Sequence, residues 1–375
     1  MTGRRSSKEP RWHWLLLSLF LLILLGTLGL DGYATQQTAP AAPQPATGSG
    51  HPPLAGGAGP IRRVDANGSV TSSLLPARTV ALTFEDGPDP IWTPQILAVL
   101  TRHHAQATFF QLGARANQYP HLSRQILASG SEVGSHGFTH LDLAATATWR
   151  RSVELTLAGN AITAATGRRP VLLRPAHAAT PTTDTAAGAD QAAWRQASAS
   201  GYLTVLADRD TGDLGRPGVA AIMAAAQPAE GAGAVVRMHD SGGDRSQTVA
   251  ALDQLIPQLQ AEGYRFVTVS QALGLPAAPV ATTGERWRGY GLRLAQSTGH
   301  RLANLLLIFT LITAGVGILR LVFQLAGSWR HERRSRRHRD GPFPYLGRVS
   351  VIVPAYNEAA NIAARMGMAT TLLTM

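Results

Sequence analysis

The chain of 375 residues carries 34 basic and 23 acidic side chains, a net charge of +11, and contains no cysteine. A chain of this length buries a core without cross-links, and the absence of thiols excludes thiol catalysis, disulfides and Cys-ligated zinc, leaving only His and carboxylates for any metal site. The basic excess does not point to nucleic acid: charges nearly balance across residues 61–285, and the surplus sits in Arg4, Arg5, Lys8 and Arg11 at one end and in Arg330, Arg333, Arg334, Arg336, Arg337 and Arg339 near the other, each cluster beside an apolar run.

Residues 1–13 form the first basic leader, and residues 14–30 are nearly continuous Leu, Ile and Phe. That run approaches the ~20 residues of one bilayer crossing and reads as an uncleaved transmembrane anchor, with a signal peptide as the alternative. Residues 31–60, rich in Ala, Pro and Gly, read as a linker that holds a domain off the membrane. Residues 61–275 then form the main domain, in which apolar runs alternate with helical patterns from residue 78 onward. Strands are predicted at 80–84, 107–112, 132–135, 171–173, 203–206, 234–238 and 266–269, and helices at 93–104, 121–128, 148–166, 187–199, 219–225 and 247–261. Repeated strand–helix units imply a parallel sheet, here an α/β fold of the irregular (β/α)7-type barrel, with the chemistry at the C-terminal strand ends.

Residues 276–301 read as a second linker and residues 302–325 as a second transmembrane helix, with Arg320 snorkelling or facing protein. Basic clusters outside both apolar runs place both termini in the cytoplasm and residues 61–275 outside it, at the cell membrane. Residues 326–375 form a cytoplasmic basic segment that contains Arg348-Val349-Ser350-Val351-Ile352-Val353-Pro354-Ala355-Tyr356-Asn357-Glu358. This strand resembles the opening of family 2 glycosyltransferases; a buried strand of no special meaning is the equal alternative. The resemblance implies the truncated start of a nucleotide-sugar domain, too short to work as a transferase.

The chemistry concentrates at strand ends. Thr83-Phe84-Glu85-Asp86-Gly87-Pro88 leaves two adjacent carboxylates where an apolar strand meets a turn, and like charges this close require a compensating cation. His136-Gly137-Phe138-Thr139-His140 follows another strand, and on a helical turn its two imidazoles would share a face. One carboxylate with two imidazoles makes a three-ligand site with an open position, the pattern of catalytic zinc, and leaves the second carboxylate free as a base. Arg174, Asp210 and His239 each follow a further strand; their bland readings are a surface cation, an acidic turn and a hydrogen-bonded structural histidine.

From about residue 78 to 275 the chain resembles the polysaccharide deacetylases of the NodB-homology type, carbohydrate esterase family 4. The motifs that carry the resemblance are Thr83 to Pro88, the His136/His140 pair, Arg174 to His177, Asp210 to Leu214 and Arg237-Met238-His239. It implies that Asp86, His136 and His140 bind a divalent metal, zinc by preference, and that Glu85 takes a proton from water, tuned by Arg174. It further implies that His239, oriented by Asp210, protonates the leaving amine, and that a backbone N–H near His177 helps hold the oxyanion. The implied partner is an N-acetylated polysaccharide that loses acetate. The motif positions depart from the family at Glu85 (for Asp), His177 (for an aromatic), Leu214 (for Trp) and Arg237 (for an apolar residue). A buried arginine is costly unless paired, so the alternative is a catalytically weakened, membrane-anchored module that binds glycan and metal. Oligomeric state is not legible.

Overall fold

The computed structural model describes residues 12–36, 59–65, 69–177 and 188–338. The glycosyltransferase-like strand expected at 348–358 lies outside the described residues. The chain divides into two compact units, Met1–Ile308 and Phe309–Met375.

The first unit is a sheet wrapped by helices. In chain order it contains α1 (Trp12–Gln36), β1 (Ile61–Val64), β2 (Val70–Ser73), β3 (Thr79–Glu85), α2 (Trp92–Arg102), β4 (Ala107–Gln111), α3 (Gly113–Gln118), α4 (Pro120–Ala128), β5 (Glu132–Ser135) and α5 (Thr148–Thr166). There follow β6 (Leu172–Leu173), α6 (Gly188–Ala199), β7 (Leu203–Val205), β8 (Arg209–Asp210), α7 (Val219–Ala226), β9 (Ala234–His239), α8 (Ser246–Ala261), β10 (Arg265–Phe266), α9 (Val269–Ala272) and α10 (Thr283–His338), of which the residues to Ile308 belong to this unit.

The strands run in the order β2-β1-β7-β6-β5-β4-β3-β9-β8, with β10 beside the start of β3. Pairs among β3 to β10 are parallel, as the strand–helix alternation predicts, while β1 pairs antiparallel with both β2 and β7. Among the described residues β2 and β8 do not meet, so the expected barrel is an open half-barrel. The hairpin β1/β2 occupies the edge of β7 that a closing strand would need.

Strand alternation decides what faces the concave side. Val80, Leu82 and Phe84 of β3 and Ala234, Val236 and Met238 of β9 point outward into one apolar cluster with Ile96 and Leu100 of α2 and Leu252, Leu255 and Leu259 of α8. Their neighbours Thr83 and Glu85, and Arg237 and His239, therefore point inward. Parallel pairing in register sets Thr83 against Arg237 and Glu85 against His239. Helix ends carry the expected signals: Pro120 opens α4, Gly167 closes α5 at φ 72°, and Thr268 and Gln271 form a reciprocal capping box on α9.

The linker expected at 276–301 is corrected: α10 is one helix from Thr283, so much of that stretch is helical. α1 likewise continues past residue 30 to Gln36. By length and apolar composition, α1 and α10 each suffice to cross a bilayer.

Candidate active site

Asp86 follows β3 directly and turns back with φ 73°, a left-handed backbone that few non-glycine residues adopt. Its Oδ1 lies 3.4 Å from Nε2 of His136 and 3.3 Å from Nε2 of His140. The ligand-type atoms of these three residues all fall within 4.8 Å of one another.

The two histidines reach this point by a route the spacing did not predict. Residues 136–140 form an irregular loop, and His140 has φ 67°. The helical turn expected there is replaced because Glu154 of α5 binds the loop's backbone. Its buried carboxylate accepts from Phe138 N at 2.8 Å, Thr139 N at 3.0 Å and Thr139 Oγ1 at 2.8 Å. Glu154 lay in an ordinary-looking helix; its only sequence signal is a charge on a face that otherwise packs inward.

The local chemistry favours a cation. His136 Nδ1 is 2.8 Å from the carbonyl oxygen of Arg174, which only accepts, so the ring donates from Nδ1 and faces Asp86 with Nε2. Both His136 Nε2 and Asp86 Oδ1 are buried without a hydrogen-bond partner. Burial and His136 hold the His140 imidazole down at about 4, so it is neutral and able to ligate. Burial pushes the Asp86 carboxyl up, but His136, His239 and His140 outweigh it and keep it below the usual carboxylate range. One carboxylate and two imidazoles, with Nδ1 of His136 engaged by a carbonyl and its Nε2 facing Asp86, fit a divalent metal.

Glu85, at the end of β3, is engaged on one oxygen and open on the other. Oε1 accepts from Arg237 Nε at 2.5 Å and lies 3.1 Å from His239 Nε2. Oε2 is buried without a hydrogen bond, with Arg174 Nη1 at 3.6 Å. Burial pushes this carboxyl up, but Arg237, His136 and His239 outweigh it and hold it well below the usual range. Arg174 is itself locked: its guanidinium donates to Thr83 Oγ1 and to the carbonyls of Val205 and Leu206, under the ring of Phe110.

The role expected of Asp210 is corrected. His239 Nδ1 meets Asp213 Oδ1 at 2.7 Å, and Asp213 also accepts from His239 N and Thr248 Oγ1. Asp210 instead accepts from Arg237 Nη1 at 3.0 Å. The reason is geometric: β8 ends at Asp210, and Gly212, at φ 61°, turns the chain so that the second acid of the motif points back at β9. Burial pulls the His239 imidazole down, but Asp213 and then Glu85 outweigh it and push it up to about 10. Thus Arg237, the most costly departure on paper, is paired on both sides by Glu85 and Asp210. His177 places its ring edge-on to His140, with centroids 4.5 Å apart.

The family model for polysaccharide deacetylases matches residues 74–197. The chain is 38% identical over 198 residues to a peptidoglycan-N-acetylglucosamine deacetylase of Bacillus cereus, a match covering 52% of this chain and 88% of that protein. It is 36% identical over 223 residues to a chitooligosaccharide deacetylase of Sinorhizobium fredii, covering 56% of this chain and 99% of that protein. Among solved structures, a family 4 carbohydrate esterase from Streptomyces lividans in complex with acetate is 29% identical, with 54% of this chain and 97% of that chain covered at a TM-score of 0.46.

Proposed function

This chain belongs to the polysaccharide deacetylase family, and on that premise we propose that it hydrolyses N-acetyl groups from an N-acetylglucosamine-containing polysaccharide, using a divalent metal. The reading is carried by one observation: Asp86, His136 and His140 converge beside Glu85 and His239, each of which is held in the protonation state the reaction needs. A metal held by Asp86, His136 and His140, zinc by preference, would polarise the acetyl carbonyl and acidify the attacking water.

The chain's own residues supply the proton transfers. Glu85 is ionised and offers Oε2 to the proton of water, because Oε1 is already occupied. His239 is protonated and donates to the amide nitrogen as the C–N bond breaks, which releases acetate and a free amino sugar. Asp213 steadies the imidazolium through Nδ1 and fixes the ring so that Nε2 faces the site. Arg174 supports the base from beneath through a guanidinium that cannot move without breaking bonds to three other groups.

The apolar lengths of α1 and α10, with the flanking arginines, support anchoring in a cell membrane, both termini in the cytoplasm and residues 61–275 outside it. The substrate would then be a polymer outside the cytoplasm.

A second reading is favoured by the Arg237–Glu85 contact. A carboxylate held far below its ordinary range is a weak base, so the site would bind metal and glycan yet turn over slowly. Acetate release from acetylated chitooligosaccharides, with and without added zinc, separates the two. Acetate formed only with metal supports the enzyme; bound zinc and bound oligosaccharide without acetate support the weakened module.

A further inference from the structure

The helix α1, expected to end before a linker that holds the domain off the membrane, is instead packed directly on the wall of the site. Leu30, Tyr33 and Ala34 join Ala114 of α3, Ala158 and Ala161 of α5 and Leu292 of α10 in a cluster around Phe138, the residue midway between the two metal-site histidines. Phe138 is fully buried there. α1 is held in turn by α10, where Gly299 lies against the backbone of Thr27 and His300 Nδ1 is 3.4 Å from Asp31. A side chain at position 299 would collide with α1, so a close helix crossing is built in.

Within this contact one polar bond reaches the site. Tyr33 donates its hydroxyl hydrogen to Glu154 Oε1, and the Arg150 guanidinium lies 5.5 Å over the Tyr33 ring. Glu154 is the carboxylate that shapes residues 136–140, and its oxygens already accept three bonds from that loop. Its burial leaves no water to replace a lost donor, so the fourth bond matters to where the carboxylate rests.

We propose that Tyr33, borne on the apolar N-terminal helix, is a positioning residue for the metal-binding loop, so that the grip of His136 and His140 on a cation depends on the hydroxyl this helix supplies to Glu154. The chain of contact runs from the Tyr33 hydroxyl through Glu154 to the amides of Phe138 and Thr139, and thence to the imidazoles on either side. This rests on the metal-dependent reading of the site and adds a requirement that the isolated domain cannot meet.

The test uses the full chain in detergent micelles and compares wild type with Tyr33→Phe, which keeps the ring over Arg150 and removes only the hydroxyl. Leu30→Ala is the control, since it thins the same cluster without touching Glu154. Zinc affinity is read by competition with a chromophoric chelator, and amide exchange at Phe138 and Thr139 is read without metal. Loss of an outer partner of metal ligands costs about 10-fold to 100-fold, and one further bond away we expect about a fivefold loss for Tyr33→Phe, with faster exchange at both amides and neither change in Leu30→Ala. Unchanged exchange and affinity in Tyr33→Phe, or equal changes in the control, would overturn the proposal alone. Wild type that binds no zinc would overturn the metal reading, and the proposal with it.

Discussion

Arg237 donates from Nε to Oε1 of Glu85 across 2.5 Å, although the two side chains come from different strands and occupy non-adjacent register positions on β9 and β3. Arg237 sits opposite Thr83, one inward position below His239, and reaches up to the Glu85 carboxylate. Two of the departures from the family pattern are thereby one feature. The guanidinium's other arm holds Asp210, so a cation stands between two acids rather than alone in an apolar wall.

That pairing predicts non-additivity. Glu85→Asp alone shortens the acid and takes one of two partners from the guanidinium, and Arg237→Leu alone takes from Asp210 the cation it accepts from; each should reduce acetate release. Made together, they should differ from the sum of the singles by about 0.5–3 kcal/mol in transition-state free energy, as residues in one charge network do. Strictly additive effects on kcat/KM would show that the contact is incidental.

Removing the base while leaving its shape is a separate expectation. Glu85→Gln should lower kcat by about 10²–10⁴-fold, the usual worth of a general base, while zinc affinity stays within a few-fold of wild type. Loss of zinc in step with activity would make Glu85 a ligand.

Cation removal should act through Asp86, His136 and His140 together. Chelation should abolish acetate release and added zinc should restore it, whereas His136→Ala, which deletes a buried imidazole of the proposed metal site whose Nδ1 is tied to the Arg174 carbonyl, should leave no tightly bound metal by elemental analysis after dialysis. Restoration by zinc in that variant to wild-type rates would contradict the ligand assignment.

The two acids of the Asp210–Asp213 turn should separate in their pH profiles. His239 is raised to about 10, so as the proposed proton donor it remains charged until the pH climbs through that value. Asp213→Asn removes the chief partner that lifts it, and the alkaline limb of kcat should move to lower pH by more than about one unit. Asp210→Asn, which touches Arg237 and not His239, should leave that limb where it is.

Asp208 supplies a prediction about stability. Burial raises its carboxyl to about 6 despite a 2.8 Å hydrogen bond from Val235 N. Between an unfolded value near 4 and this folded value the native state binds more protons than the unfolded one, so this group's stabilising share is present at low pH and is lost as pH rises from ~4 to ~6. Relative to Asp208→Asn, wild type should lose on the order of 1–2 kcal/mol across that window in urea melts.

What the sequence determined was the local grammar: which runs are strands, that β3 ends in acids, that two histidines follow β5, and that the outer apolar helices are long. These follow from side-chain periodicity and turn chemistry, which act over a few residues and are readable there. Tertiary structure alone decided which acid faces His239, that Glu154 rather than a helical turn shapes the His136–His140 loop, that Arg237 is paired, and that Tyr33 touches this network from over a hundred residues away. Those outcomes depend on register between strands and on which helix lands against which loop. They are set by the packing of the whole sheet and are written into no single segment.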